Sequence, residues 1–260
     1  MRILLPPSET KRVGGERDFA EAALSFDGML REPRRRVREA LEAVSVHEAA
    51  STKALKLGKK NQDERLRNLE LDTSGAMPAI ERYTGVLYDA LDADSLGAEA
   101  RAWLDAHVFV QSALFGLLRA ADEIPSYRVS ASSRLPELGG ALAKQWAGAH
   151  SGALADAAYV LDLRSKDYAA LAPLSSLGAR ECDYLDVVAR SDDGEVRALN
   201  HFNKAAKGDL VRRLALGAPE VRSRADLLAW AAAAGLEISA DDDAGTVRLV
   251  TEQGVPAASR

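Results

Sequence analysis

The apolar positions of this chain fall into short continuous runs and helix-spaced stripes. Val108-Phe109-Val110 opens one of its most apolar stretches, Val108–Arg128. That stretch passes Ser112, Leu114, Phe115 and Gly116 to Leu117-Leu118-Arg119 and ends at Pro125-Ser126-Tyr127-Arg128. A β-branched run closed by small residues predicts a buried central strand that feeds a turn and then a helix-like segment. Pro125 holds Ile124 extended. Tyr127 and Arg128 are therefore expected at the end of a rigid element, where a site is well supported.

Arg2–Leu5 and Tyr159–Leu163 predict further short apolar strands. Helical spacing covers Phe19–Leu24, Asp94–Ala106, Ala141–Ala149 around Trp146, the segment from Lys204 through Leu216, and Ala225–Ala234, which Gly235 stops. Pro33 suits the first position of a helix, and Arg34–Val46 continues it with Val37, Leu41 and Val44 on one face. Two hairpins are expected. One joins Asp183–Ala189 to Glu195–Ala198 around Ser191-Asp192-Asp193-Gly194, and the other joins Leu236–Ile238 to Thr246–Val250. Ser130–Gly140 reads as loop and Pro256–Arg260 as a frayed tail. With no internal repeat and no low-complexity linker, the pattern predicts one compact mixed α/β (α+β) domain over residues 1–260, a mixed sheet flanked by helices.

Composition narrows this picture. Of 260 residues 47% are hydrophobic but only 5% aromatic, so the core is built mainly of Ala, Leu and Val. The net charge of -5 opposes polyanions overall, so phosphate binding has to be local. Arg31, Arg34, Arg35, Arg36 and Arg38 crowd one helical turn and read as a solvated face. A single cysteine, Cys182, excludes an internal disulfide and a Cys-rich zinc site. That cysteine usage and an N-terminus without signal-peptide character lead us to expect a cytoplasmic protein. No run reaches the length of a membrane helix, so no membrane partner is expected. Phosphate-loop, dinucleotide, zincin and nucleophile-elbow motifs are absent, and His47, His107, His150 and His201 are scattered. No metal and no cofactor are expected.

Two polar constellations carry candidate chemistry. In residues 47–69, Lys53, Lys56, Lys59 and Lys60 surround Gly58, and Asn61 or Asp63 can open a further helix bearing Arg65 and Arg67. Helix, glycine hairpin, helix is a phosphate-binding layout, in which backbone N–H groups face the phosphate and lysines add charge. The hairpin lacks a second glycine, and a charged exposed helical turn explains the same residues equally well. The second set is Ser8, Lys11, Tyr83, Tyr88, Tyr127, Arg128, Lys204 and Lys207, all beside expected element ends. Converging, they would line a cleft for a small anionic or nucleotide-like ligand, with Arg128 on an oxyanion and a lysine or tyrosine moving a proton. Tyr83 and Tyr88 flank a passage from strand to turn, with hydroxyl tips exposed, or are core aromatics with satisfied hydroxyls. The residues fix no reaction and leave open whether the protein is an enzyme.

The order of ILLPPSETK, YTGVLYDAL, SALFGLLRAADEIPSYR, VLDLRSKDY and HFNKAAKGDLVRRL resembles the YaaA family of peroxide-stress proteins (DUF328, UPF0246). The similarity runs from Arg2 to about Ile238. It implies a single mixed α/β domain with a helix–hairpin–helix element and a positive cleft. It also implies non-specific binding of double-stranded DNA, survival under hydrogen peroxide, lower free intracellular iron and less DNA damage. By this resemblance Lys53, Lys56, Gly58, Lys59, Lys60 and Arg65 lie where the family carries its DNA-binding hairpin. A monomer is expected. Two blocks depart from the family pattern. Pro6-Pro7-Ser8-Glu9-Thr10-Lys11 stands where many members read S-P-A-K-T, and Lys204-Ala205-Ala206-Lys207-Gly208 stands for K-K-A-R-G.

Overall fold

The computed structural model describes residues 1–190, 196–198, 202–241, 245–252 and 255–256. Its strands are β1 (Arg2–Leu5), β2 (Met77–Pro78), β3 (Val108–Ser112), β4 (Gly116–Arg119), β5 (Glu123–Ile124) and β6 (Tyr159–Asp162). They continue with β7 (Glu181–Arg190), β8 (Val196–Ala198), β9 (Ile238–Ala240), β10 (Thr246–Glu252) and β11 (Val255–Pro256). The main sheet has the order β11-β10-β7-β6-β1-β3-β4, with β8 added to β7 and β9 to β10, while β2 and β5 pair separately. The fold is mixed α/β, as the pattern predicts.

The five strands from β10 to β3 run parallel. Parallel strands are covered on both faces, which is why RILL, VFV and YVLDL carry no polar alternation. Ile3 pairs in register with both Val108 and Leu161, and all three side chains are fully buried. The expected hairpins appear as antiparallel pairs, β7 with β8 and β9 with β10. The turn around Ser191–Gly194, His201 and residues 257–260 of the tail lie outside the described residues.

The structure corrects the central stretch. Leu117-Leu118-Arg119 is not helical: it forms β4, antiparallel to β3. The Ser112 hydroxyl accepts from the Leu114 and Phe115 N–H groups at 3.1 and 3.0 Å and folds the chain back at once. Gly116 then adopts φ +69°, and a Cβ there would lie 2.9 Å from the Trp146 ring. The chain returns under the tryptophan only because glycine stands at that point. β4 is the edge of the sheet, so β6 rather than β3 takes the middle position of the five parallel strands.

The helix Asp27–Ser45 begins before Pro33, which lies inside it. Phe26 turns the chain in the left-handed region, Asp27 pairs with Arg31, and Leu30 extends the buried stripe of Val37, Leu41 and Val44. The solvated-face reading fails for Arg34. It is fully buried and donates to the backbone oxygens of Phe115 at 2.8 Å and Ser25 at 2.6 Å. Arg31, Arg35, Arg36 and Arg38 remain on the surface side, each paired with a carboxylate of Asp27, Glu32, Glu39 or Glu42. Phe19–Leu24 shortens to the 3-10 turn Glu21–Ala23, and the expected Ala141–Ala149 helix to Leu142–Trp146. The helices Ala98–His107, Phe202–Gly217 and Arg224–Ala233 follow their apolar spacing. Among the described residues no helix is long and apolar enough to cross a membrane.

Candidate functional site

In a parallel sheet, side chains that follow the strands gather at the carboxyl edge, and a crevice opens where successive connections leave in opposite directions. Here that point lies between β1, whose chain next enters the sheet at β3, and β6, whose chain crosses to β7 on the other side. The strands end at Leu5, Ser112 and Asp162, so residues 6–11, 112 and 163–168 converge there.

Lys11 lies in the segment after β1 and is 7% exposed. Its ammonium donates to the carbonyls of Ser8 at 2.9 Å and Glu9 at 3.2 Å. It also faces two aromatic rings, with centroids 4.2 Å away for Tyr127 and 5.4 Å for Tyr83. Burial, aided by the neighbouring Arg128 charge, lowers its pKa to about 7. The amine is therefore close to half neutral at physiological pH, the condition a lysine needs to act as a base or nucleophile.

Beside it runs a chain of hydroxyls. Tyr127 Oη lies 2.7 Å from both Ser112 Oγ and Tyr83 Oη. Both lone pairs of Ser112 already accept backbone N–H groups, so its own proton goes to Tyr127, which passes its proton to Tyr83. Burial holds all the phenols here, Tyr168 included, above the usual tyrosine value. They serve as neutral donors. Tyr88 donates to the Pro6 carbonyl at 2.8 Å, which fixes the path out of β1. Tyr83 and Tyr88 are buried, so the core-aromatic alternative is the one realised. The hydroxyl of Ser8 meets Thr10 at 3.2 Å.

Arg128 borders this cluster. Its backbone is clasped by Asn68, whose Oδ1 accepts the Arg128 N–H at 2.7 Å and whose Nδ2 donates to its carbonyl at 3.0 Å. Its guanidinium meets Glu9 at 2.9 Å and Glu64 at 3.3 Å. Glu64 and Asn68 belong to the 3-10 helix Gln62–Leu69, so the lysine hairpin is braced directly against the cluster.

Lys207 has partners of its own. It donates to the Leu163 carbonyl at 3.0 Å and lies over the Tyr184 ring, and burial lowers its pKa to about 8. Gly208 makes that seat: a Cβ on it would fall 2.1 Å from the carbonyl of Leu87 in the helix Val86–Leu91, so only glycine lets the two helices approach this closely. Lys204 is exposed on the same helix. Sequence reasoning passed over the buried group beneath the switch point, where Arg164 forks onto Asp162 at 2.7 and 2.8 Å and donates to Gln111 at 3.3 Å. A charge pair two residues apart at a strand end was its signal.

The segment expected to form a helix–hairpin–helix folds as a helix, a turn and a 3-10 helix. The helix Glu48–Leu55 ends at Lys56, which turns in the left-handed region at φ 55°, and the second element is 3-10 rather than α. Lys53, Lys56, Gly58, Lys59 and Lys60 are all exposed. Among the described residues none of these lysines forms an ion pair, and the N–H groups of residues 58–60 find no backbone acceptor. Arg65 turns inward instead and donates to the Ser45 carbonyl at 2.8 Å, capping the end of the long helix. The described His, Cys, Asp and Glu residues form no group of three placed to hold a metal ion.

Comparison with known proteins agrees with these blocks. The family model for peroxide stress protein YaaA matches residues 1–241. A UPF0246 protein of Corynebacterium glutamicum is 40% identical over 245 residues, covering 92% of this chain and 94% of the relative. One from Streptomyces coelicolor is 37% identical over 246 residues, 93% of each chain. Another from Corynebacterium efficiens is 35% identical over 250 residues, covering 93% and 96%. A conserved-length match of this kind, with the PSYR and KAAKG blocks at one sheet edge, shows that the chain belongs to the peroxide stress protein YaaA family.

Proposed function

We propose that this protein acts in the peroxide-stress response by holding duplex DNA non-specifically through its phosphates at the hairpin of residues 53–60. Such binding limits oxidative DNA damage, and its effect on free intracellular iron is indirect. The reading is of a cytoplasmic monomer. One observation carries it. Exposed Lys53, Lys56, Lys59 and Lys60 lack carboxylate partners among the described residues, whereas the surface arginines of the long helix are each paired. Unpaired cations beside free backbone N–H groups suit a phosphate and offset the acidic whole. Few aromatic side chains adjoin them, so base stacking is not expected. A gel-shift titration on duplex DNA at two salt concentrations tests this reading. Binding that weakens steeply with salt and is lost in Lys56→Ala/Lys59→Ala supports it; absence of binding at low salt removes it.

A second reading rests on Lys11. A buried amine with a pKa near 7, beside Arg128 and neutral phenols at the carboxyl edge of a parallel sheet, suits an enzyme acting on a small anionic or nucleotide-like substrate. Calorimetric titration with inorganic phosphate and with AMP, on the native chain and on Lys11→Met, tests it. Binding that depends on Lys11 favours this reading.

A further inference from the structure

A cavity of about 530 Å3 lies between the helix Glu48–Leu55 and residues 134–140. Its volume falls within the range of roughly 300–1,000 Å3 found for small-molecule sites. Ala50, Lys53 and Ala54 line one wall, at the spacing that puts them on one helix face. Arg134, Leu135 and Gly139 belong to the other. The Arg134 N–H donates to the Ala54 carbonyl at 3.0 Å and staples the walls together.

Four small residues, Ala50, Ala54, Gly139 and Gly140, leave this space open. A Cβ built on Gly139 meets nothing within 4 Å. Ala54 and Leu135, 6% and 1% exposed, are its buried apolar members. Lys53 and Arg134 are exposed, and neither side chain has an ionic or hydrogen-bonding partner among the described residues. The lining contains no carboxylate.

We propose that this cavity binds a small amphipathic organic anion, its apolar body on Ala54 and Leu135 and its oxyanion shared by Arg134 and Lys53. The apolar wall gives a bare inorganic ion nothing to gain over bulk water, and the unpaired cations give a neutral hydrocarbon no anchor. A planar guanidinium beside a compact ammonium suits a carboxylate, sulfonate or phosphate ester. The site stands independently of DNA binding. Because Lys53 belongs to both surfaces, an occupied cavity removes one cation from the hairpin, and the two ligands compete.

The full chain is titrated with 8-anilinonaphthalene-1-sulfonate and followed by fluorescence. One saturable site is expected. Arg134→Ala and Lys53→Ala each weaken it about tenfold, the loss of one charge-assisted contact. Ala50→Trp, placed on an exposed wall position, abolishes binding while thermal unfolding stays at the native temperature. Equal affinity for uncharged N-phenyl-1-naphthylamine overturns the proposal, as does unchanged binding in Arg134→Ala. Should Ala50→Trp fail to fold, the two charge variants decide alone. Loss of DNA binding in Lys56→Ala/Lys59→Ala leaves sulfonate binding intact, so the two readings fail separately.

Discussion

The Lys11 ammonium lies 4.2 Å from the centroid of the Tyr127 ring, although the two residues are far apart in the chain. Tyr127 in turn hydrogen-bonds Ser112 at the end of β3. One contact therefore couples the segment that leaves β1 to the segment that follows the central hairpin, and it desolvates the amine that would do chemistry there.

This coupling sets a pH dependence. Burial lowers Lys11 to about 7, whereas the unfolded lysine titrates near its ordinary value. Between about pH 7 and 10 the unfolded chain binds more protons, so stability rises with pH, by at most about 1.4 kcal/mol per pH unit for one group. Lys207, lowered to about 8, contributes with the same sign above that pH. Urea melts across this window should show a shallower rise in Lys11→Met than in the native chain, and parallel curves below about pH 6. An unchanged slope would mean that the amine titrates normally.

Arg34 answers a different question, namely what a buried arginine does without a carboxylate. Its guanidinium donates to the carbonyls of Ser25 and Phe115. Arg34→Ala leaves both acceptors dry and opens a cavity, and should cost about 3–5 kcal/mol in denaturant unfolding. Arg35→Ala, on the exposed side of the same helix, should cost under about 1 kcal/mol.

Gly208→Ala should destabilise by about 1–3 kcal/mol, because its methyl group would overlap the Leu87 carbonyl. The same push displaces Lys207 from Leu163. If the melt is native-like, the close approach of these helices is looser than described.

For duplex DNA, the double variant Lys56→Ala/Lys59→Ala should reduce the slope of log affinity against log salt by about 2, one unit for each lost phosphate contact. A weaker affinity with an unchanged slope would place the contacts elsewhere.

Much of the architecture is legible in local pattern. RILL, VFV and YVLDL are apolar without alternation, which buried parallel strands require, and the stripe Val37, Leu41, Val44 marks a helix face. The glycine at residue 58 and the lysines around it are equally visible, because exposed loop chemistry is local. Arg34 was not legible: an arginine in an arginine cluster looks solvated until Phe115 and Ser25 present their carbonyls to it. Leu117–Arg119 suits helix or strand by periodicity, and the choice fell to Ser112 and Gly116, which turn the chain back beneath Trp146.

By itself, then, the chain's linear order determined the fold class, the strands of the parallel sheet and the family to which the protein belongs. These depend on residue type and spacing along the backbone. Tertiary structure alone decided which polar residues meet. It sealed Lys11 against Tyr127, seated Lys207 on Leu163, turned Arg65 inward, and left Lys53 and Arg134 without partners among the described residues beside one cavity. The physical reason is that a side chain's charge and reactivity follow from the desolvation and partners that distant segments supply, and sequence spacing carries no record of either.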